Sequence, residues 1–300
     1  MSRKAILFGG AGQLGFEIQR EFSARGYTIS AYDRSGVDIT DAAAVERVIA
    51  STGAELVVNA AAYNMVDVAE NEPQAAYQVN ALAVRNIAVA CRQAGAKLIH
   101  FSTDYVFDGT KGSPYNEDDR PHPLGAYAVS KLCGELYARA YLDDLLVLRT
   151  SGVFGPAGLR TARGNFVELM LRLAKGGQPI RVVEDMVASP TYAPALARAT
   201  ADLVERGASG IFHAGGGTAI SWFDYAKLIF RCAGLEPELR ATSEREYRTP
   251  ARRPVYSALV NAKMDALGIQ SMPSVEKALQ SYLSVRATMT AETTTSSQVR

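Results

Sequence analysis

Tyr127 and Lys131 stand four residues apart in Tyr127-Ala128-Val129-Ser130-Lys131, and the continuation through Leu132, Leu136 and Tyr137 predicts a helix. On a helix that spacing puts the phenol and the ammonium on one face. A phenol titrates near pH ~10 in water and exchanges protons poorly at neutral pH; a neighbouring positive charge favours the phenolate and brings it towards the working range. A second hydroxyl, Thr103, lies in His100-Phe101-Ser102-Thr103-Asp104-Tyr105, at the carboxyl end of a predicted strand. There it can hydrogen-bond a substrate carbonyl while Tyr127 protonates the oxygen and Lys131 grips the ribose of a nicotinamide hydride donor. Asp104 and Tyr105 touch the substrate or orient the loop. Singly, each feature has a plainer reading: an amphipathic helix for the Tyr/Lys spacing, a turn hydroxyl for Thr103.

Their conjunction with a phosphate-binding pattern favours chemistry. The first predicted strand, Ala5 to Gly9, runs into Gly9-Gly10-Ala11-Gly12-Gln13-Leu14-Gly15 and then a helical stretch from Phe16 to Arg25. Gly9, Gly12 and Gly15 permit a tight turn, close approach of backbone to a pyrophosphate, and close helix packing, with free N–H groups at the helix start. Asp33 follows Gly15 by 18 residues, at the end of the second strand, where a cofactor ribose hydroxyl belongs. Its carboxylate argues for NADH and the adjacent Arg34 for NADPH, so the choice stays open. Asn59-Ala60-Ala61-Ala62-Tyr63 ends the third strand; its small residues suit either a bound cofactor or tight strand-helix packing. Asn80 is a polar amide in an otherwise apolar helical stretch, bonding backbone near the catalytic strands or sitting on the helix surface.

The elements that must position these residues alternate. Ala5 to Gly9, Thr28 to Tyr32, Leu56 to Asn59, Lys97 to Ser102 and Leu145 to Arg149 read as strands separated by helical segments, and AILFG and LLVLR are nearly continuous apolar runs. That pattern predicts an α/β fold of the Rossmann type, a doubly wound parallel sheet covered on both faces. Residues 1–150 form the dinucleotide-binding core. Residues 151–286, with dense Gly and Pro punctuation, predict a smaller mixed substrate lobe interleaved with returning core elements. Its helices are expected at Asn165 to Leu173, Ala193 to Glu205, Ser221 to Ala233 and Ser274 to Leu283, with a strand at Ile180 to Val183. The polar tail 287–300 is expected to be disordered.

Composition narrows the partners. The chain has 300 residues, 48% of them hydrophobic, with 32 Lys and Arg against 31 Asp and Glu. It can bury a substantial core, and its charge gives no reason to expect nucleic acid or a membrane surface. Cys91, Cys133 and Cys232 make no CxxC pair and read as reduced core fillers. His100, His122 and His213 lack ligand spacing, so no metal site is assigned. Without a leader-like start or an apolar run of spanning length, a cytoplasmic protein is expected.

In order along the chain, GGAGQLG, NAAAYNMVDVAE, VNA, STDYVFDG, YAVSK, LRTSGVFG, GNFV, SPTYA and RPVYS resemble the dTDP-4-dehydrorhamnose reductase family, from Lys4 to about Leu283. The resemblance implies reduction of the C4 ketone of a dTDP-6-deoxy-4-ketohexose by NADH or NADPH. Thr103, Tyr127 and Lys131 would be the catalytic positions. Gly9, Gly12, Gln13, Leu14, Gly15, Asp33, Asp38, Ile39, Ala60, Ala61, Ala62 and Tyr63 would hold the cofactor, with Lys131 shared. It also implies a homodimer, and family members can hold magnesium between subunits, although no position here carries that over. Related sequences often place Trp where this chain has Gly152, which removes an apolar wall against the hexose. The segment Pro156 to Arg163 also looks longer than expected. Pro190 and Thr191, in Ala188-Ser189-Pro190-Thr191-Tyr192, fall where the family closes over substrate. Two other readings share this start: an NAD-dependent nucleotide-sugar epimerase or dehydratase, and a dinucleotide-binding regulatory subunit like that of methionine adenosyltransferase.

Overall fold

The computed structural model describes residues 3–161, 164–270 and 272–298. Ten strands run β1 Arg3–Phe8, β2 Tyr27–Tyr32, β3 Leu56–Asn59, β4 Lys97–Thr103, β5 Leu145–Thr150, β6 Ile180–Val183, β7 Val187–Ala188, β8 Gly210–His213, β9 Ile220–Ser221 and β10 Leu239–Thr242. The helices are α1 Gln13–Ala24, α2 Ala42–Thr52, α3 Val66–Asn71, α4 Pro73–Tyr77, α5 Ala83–Ala94, α6 Ala126–Tyr141, α7 Phe166–Lys175, α8 Ala193–Glu205, α9 Trp222–Ala233, α10 Ala262–Ala266 and α11 Val275–Gln298.

Six strands form one parallel sheet in the order β2-β1-β3-β4-β5-β8. Alternate residues of its apolar strands feed opposite faces. Leu7, Val58, Ile99 and Leu148 pack with Ile18, Phe22, Leu196 and Leu203 on one side. Ile6, Val57, Leu98 and Val147 pack with Val45, Ile49, Val84 and Ile87 on the other. Burial on both faces is what the unbroken apolar runs require. Because β2 and β3 flank β1 on opposite sides, the chain reverses direction across the sheet beside the glycine loop, the place where such sheets bind ligands.

The doubly wound parallel sheet is as the sequence predicts, with β4 and β5 each one residue longer at the carboxyl end. A sixth strand, β8, was not anticipated: four residues beginning at a glycine carry too little apolar pattern to read. The helix expected around Asn80 is interrupted by a π-turn, Gln78–Leu82, joining α4 to α5. Asp41, Asn165 and Ser221 cap α2, α7 and α9 through their side chains. Pro156–Arg160 forms one short 3₁₀ turn, and residues 162 and 163 of that longer segment lie outside the described residues.

The tail expected to be disordered from residue 287 instead continues α11 to Gln298, with residues 299 and 300 outside the described ones. The helix is anchored by buried Val275, Ala278, Leu279 and Tyr282 and by an Arg286 to Glu168 ion pair of 2.6 Å. Once anchored, each further turn adds a hydrogen bond per residue without a new nucleation cost. Thr288 and Thr290 fold their hydroxyls back onto the Ser284 and Arg286 carbonyls. Polar composition alone did not reveal the anchor. Among the described residues no helix is long and apolar enough to cross a membrane.

Candidate active site

The carboxyl ends of β4 and β5 and the first turns of α6 gather the side chains expected to do chemistry. Lys131 is buried, with 3% of its surface exposed, and its Nζ donates to the Phe101 carbonyl at 2.6 Å. Loss of water brings the ammonium down to about 8, against the opposing pull of Glu135 one helical turn along. Tyr127, half-buried, sets its ring edge-on to Tyr105 with centroids 6.2 Å apart. Burial pushes the Tyr105 phenol upward.

Thr103 accepts from the Tyr105 N–H at 3.2 Å and donates to Asp104 Oδ1 at 3.1 Å. The other oxygen of Asp104 receives Ser151 Oγ at 2.7 Å and Ser257 Oγ at 2.5 Å. Burial raises this carboxyl to about 6, with the three hydroxyls holding it back. Asp104 thus ties the Thr103 hydroxyl to the end of β5 and to a segment 153 residues further along.

Asn80 completes this edge from the π-turn. Its amide bonds both the N–H and the carbonyl of Tyr63, each at 2.9 Å, and donates to Ser130 at 3.0 Å. The second reading offered for it, a surface amide, does not hold, since Asn80 is buried. Gly134 lets α6 approach: a Cβ there would stand 2.2 Å from the Asn80 carbonyl oxygen.

The glycine loop has the shape a dinucleotide phosphate needs. A Cβ on Gly15 would lie 2.1 Å from the Gly9 carbonyl oxygen, so loop and helix can close only with glycine there. Gly12 begins α1 with no side-chain cap, leaving the first N–H groups for an anion. These features fit a bound dinucleotide. Leu14 packs against the core. The Gln13 side chain is occupied elsewhere: its oxygen accepts from Asn165 Nδ2 at 2.9 Å and Gly155 N at 3.3 Å, and its Nε2 donates to the Gly164 carbonyl. Only its backbone faces the phosphate role.

Around the second strand's end, Asp33 and Asp38 each fold onto their own loops. Asp33 accepts from Ser35 N, Ser35 Oγ and Gly36 N, and Asp38 from Thr40 N and Oγ1; these donors hold both carboxyls below the usual range. Arg34 is 91% exposed, 3.8 Å from Asp38. Ile39 is buried in the core. At the end of β3, Ala60 N bonds the Phe8 carbonyl and Ala61 N bonds Asn59 Oδ1, while Ala62 is exposed and the Tyr63 hydroxyl donates to Glu72.

On the substrate side, Gly152 has φ +47°, and a Cβ there would meet Trp222 at 3.4 Å and Pro190 at 3.5 Å. The indole of Trp222, packed at a tilt against Phe166 and Tyr225, therefore borders the space left by the missing side chain. Pro190 and Thr191 are buried, and the Thr191 hydroxyl donates to the Ser189 carbonyl. Among the described residues no cluster of His, Cys, Asp and Glu is placed to hold a metal ion, and the three cysteines are free.

Several contributors escaped the sequence. Ser151 and Ser257 meet Asp104 only through the fold, across 47 and 153 residues, which no spacing could signal. Arg253 clamps Asp67 of α3 at 2.8 and 2.9 Å, and Glu70 of the same helix caps α6 through the Ala126 N–H at 2.8 Å. Glu135 had a signal, four residues after Lys131 on a helix that buries its neighbours.

A sequence model of the RmlD substrate binding domain matches residues 3–287. The spore coat polysaccharide biosynthesis protein SpsK of Bacillus subtilis is 36% identical over 95% of this chain and 98% of its own. The dTDP-4-dehydrorhamnose reductase of Mycolicibacterium smegmatis is 38% identical over 93% of this chain and 85% of its own. The crystal structure of dTDP-4-dehydrorhamnose reductase from Bacillus anthracis in complex with NADP superposes with a TM-score of 0.90 at 35% identity, covering 94% of this chain and 99% of that one. With a match running almost end to end, over residues that include the glycine loop and the Thr103, Tyr127 and Lys131 cluster, the chain belongs to the RmlD substrate binding domain family.

Proposed function

We propose that this protein is an NAD(P)H-dependent reductase of the C4 ketone of a nucleotide-activated 6-deoxy-4-ketohexose, converting dTDP-4-dehydro-L-rhamnose to dTDP-L-rhamnose. The observation that carries the reading is the buried Lys131 one turn from Tyr127, beside Thr103 and on the same sheet edge as the glycine loop. The named activity of relatives covering nearly the whole chain supports the substrate.

A bound nicotinamide cofactor supplies the hydride. Gly9, Gly12, Gly15 and the start of α1 hold its phosphates, and Lys131 holds the nicotinamide ribose. Thr103 positions the ketone oxygen and Tyr127 delivers the proton to it. Asp104 and Tyr105 fix Thr103 in place, and Gly152, Pro190 and Thr191 shape the sugar side. Residues 1–150 serve as the cofactor core and 151–286 as the substrate lobe. Asp33 has spent an oxygen on its own turn and Arg34 is almost fully exposed, with a long 3.8 Å pairing to Asp38, which supports NADPH while leaving NADH usable. We extend the reading to a cytoplasmic homodimer.

The test is loss of reduced-cofactor absorbance when purified protein meets NADPH or NADH and dTDP-4-dehydro-L-rhamnose, beside a Tyr127→Phe control. Stoichiometric cofactor consumption that the substitution abolishes supports the reading. Sugar conversion without net consumption would place the protein with epimerases or dehydratases, and cofactor binding without turnover of any ketosugar would favour a regulatory subunit.

A further inference from the structure

Lys131 is an ammonium with almost no access to water whose side chain donates to one backbone carbonyl, Phe101, at 2.6 Å. A carbonyl satisfies one of its three protons and none of its charge, so a lysine buried this way tends to give up its proton. Four residues along α6, Glu135 is equally buried, 1% exposed, and is locked in place. Arg149 of β5 grips it with Nε at 3.0 Å and Nη2 at 2.7 Å, and Ser102 of β4 donates to the same carboxylate. Ser102 lies between Phe101, which takes the lysine, and Thr103, which faces the ketone. One carboxylate therefore fixes the helix carrying Tyr127 and Lys131 against the strand carrying Thr103.

We propose that Glu135 is a positioning residue for the reductase, the buried counter-charge that keeps Lys131 cationic and seats α6 on β4; this rests on the catalytic reading given above. The bidentate grip of Arg149 and the Ser102 hydroxyl satisfy the buried Glu135 carboxylate and fix its position on α6. The other charged or titratable groups facing Lys131 do not replace it. His100, on β4, is held neutral by burial and by the nearby ammonium, and accepts from Asn59 through Nδ1. Asp104, in the 3₁₀ turn that follows β4, is committed to three hydroxyls. Arg149, on β5, is paired with Glu135 itself, Tyr127 shares α6, and Asn80, from the π-turn, is neutral.

The sign follows directly. Glu135 raises the proton affinity of Lys131, so its removal makes Lys131 lose its charge at lower pH, and whatever depends on that charge fails earlier as pH rises. The experiment measures two pH profiles for wild type and Glu135→Gln: kcat/KM for the ketosugar, and the dissociation constant of NADPH from the protein alone. The expected result is an alkaline limb displaced downward by about one pH unit in both profiles, with Glu135→Asp returning part of the displacement. Because Glu135→Gln leaves Arg149 buried without its partner, the neutral pair Glu135→Gln/Arg149→Gln is measured alongside, and a smaller displacement in the same downward direction is expected of it, since a repelling charge is removed with the attracting one. Limbs that stay in place in folded variants, with only thermal stability reduced, would overturn the proposal. If wild type binds NADPH but turns over no ketosugar, the binding profile still decides the role of Glu135, and the substrate reading alone fails.

Discussion

The two edges of the cofactor-binding region use carboxylates in opposite ways. Around residues 33–40, Asp33 and Asp38 face water and bond the N–H groups of their own loops, which holds both acids low. At the catalytic edge Asp104 is buried among hydroxyls drawn from distant segments and rises to about 6, while Lys131 falls to about 8. An exposed carboxylate spends its charge on the local shape of the backbone. A buried one met only by hydroxyls, as Asp104 is, cannot ionise cheaply and is shifted towards the range where proton chemistry takes place.

The largest effect that tests this contrast is at the catalytic edge. Tyr127→Phe keeps the ring packing against Tyr105 and removes the proton donor, so kcat should fall by roughly 10²–10⁴-fold with cofactor affinity nearly unchanged; stopped-flow turnover beside a cofactor titration reads both. Next comes Asp104. Its folded-state value lies above its ordinary one, so the stability linked to it is fully present below about pH 4 and is lost as pH rises to about 6. The loss is about 3 kcal/mol. Asp104→Asn cannot ionise and should lack this dependence, so denaturation midpoints of the two proteins should diverge between those pH values and run parallel above them. Parallel curves throughout would dissolve the contrast between the edges.

On the exposed edge the effects should be small. Arg34→Ala should weaken NADPH by about fivefold and leave NADH almost unaffected, as expected for a single exposed ion pair; an equal loss for both cofactors would remove Arg34 from the choice between them. Smallest is Asp41→Ala, which deletes the bonds to Ala43 and Ala44 N–H at the start of α2. It should cost about 1 kcal/mol of stability with turnover unchanged.

The same contrast explains what could be read from residue order. Strands β1, β3, β4 and β5 announce themselves because burial on both faces demands nearly unbroken apolar runs, and the glycine loop because only glycine tolerates its contacts. Tyr127 and Lys131 are legible from helical spacing, and Thr103 from its place at a strand end. The partners of Asp104 are not, since Ser151 and Ser257 are ordinary serines until the sheet and the last lobe bring them together. The contacts of the Gln13 side chain are not legible for a related reason: its place in the loop gives no sign that its amide crosses to residues 155–165. Helix α11 overran its expected end because a helix anchored at one end propagates through residues that would not start one.

The π-turn at Gln78–Leu82 makes chain length there as consequential as side-chain identity. Such a turn takes up one residue more than the α-helix around it, so deleting one residue would close it to regular α-helix, and the change would fall on the turn's own residues. The Asn80 amide would swing away from Tyr63 and Ser130 even though every remaining side chain was preserved. Single-residue deletions should be absorbed in the exposed turn at residues 110–113 and should disable the protein here, so that in a library of deletions this stretch would stand out although substitution scans of its other residues looked permissive.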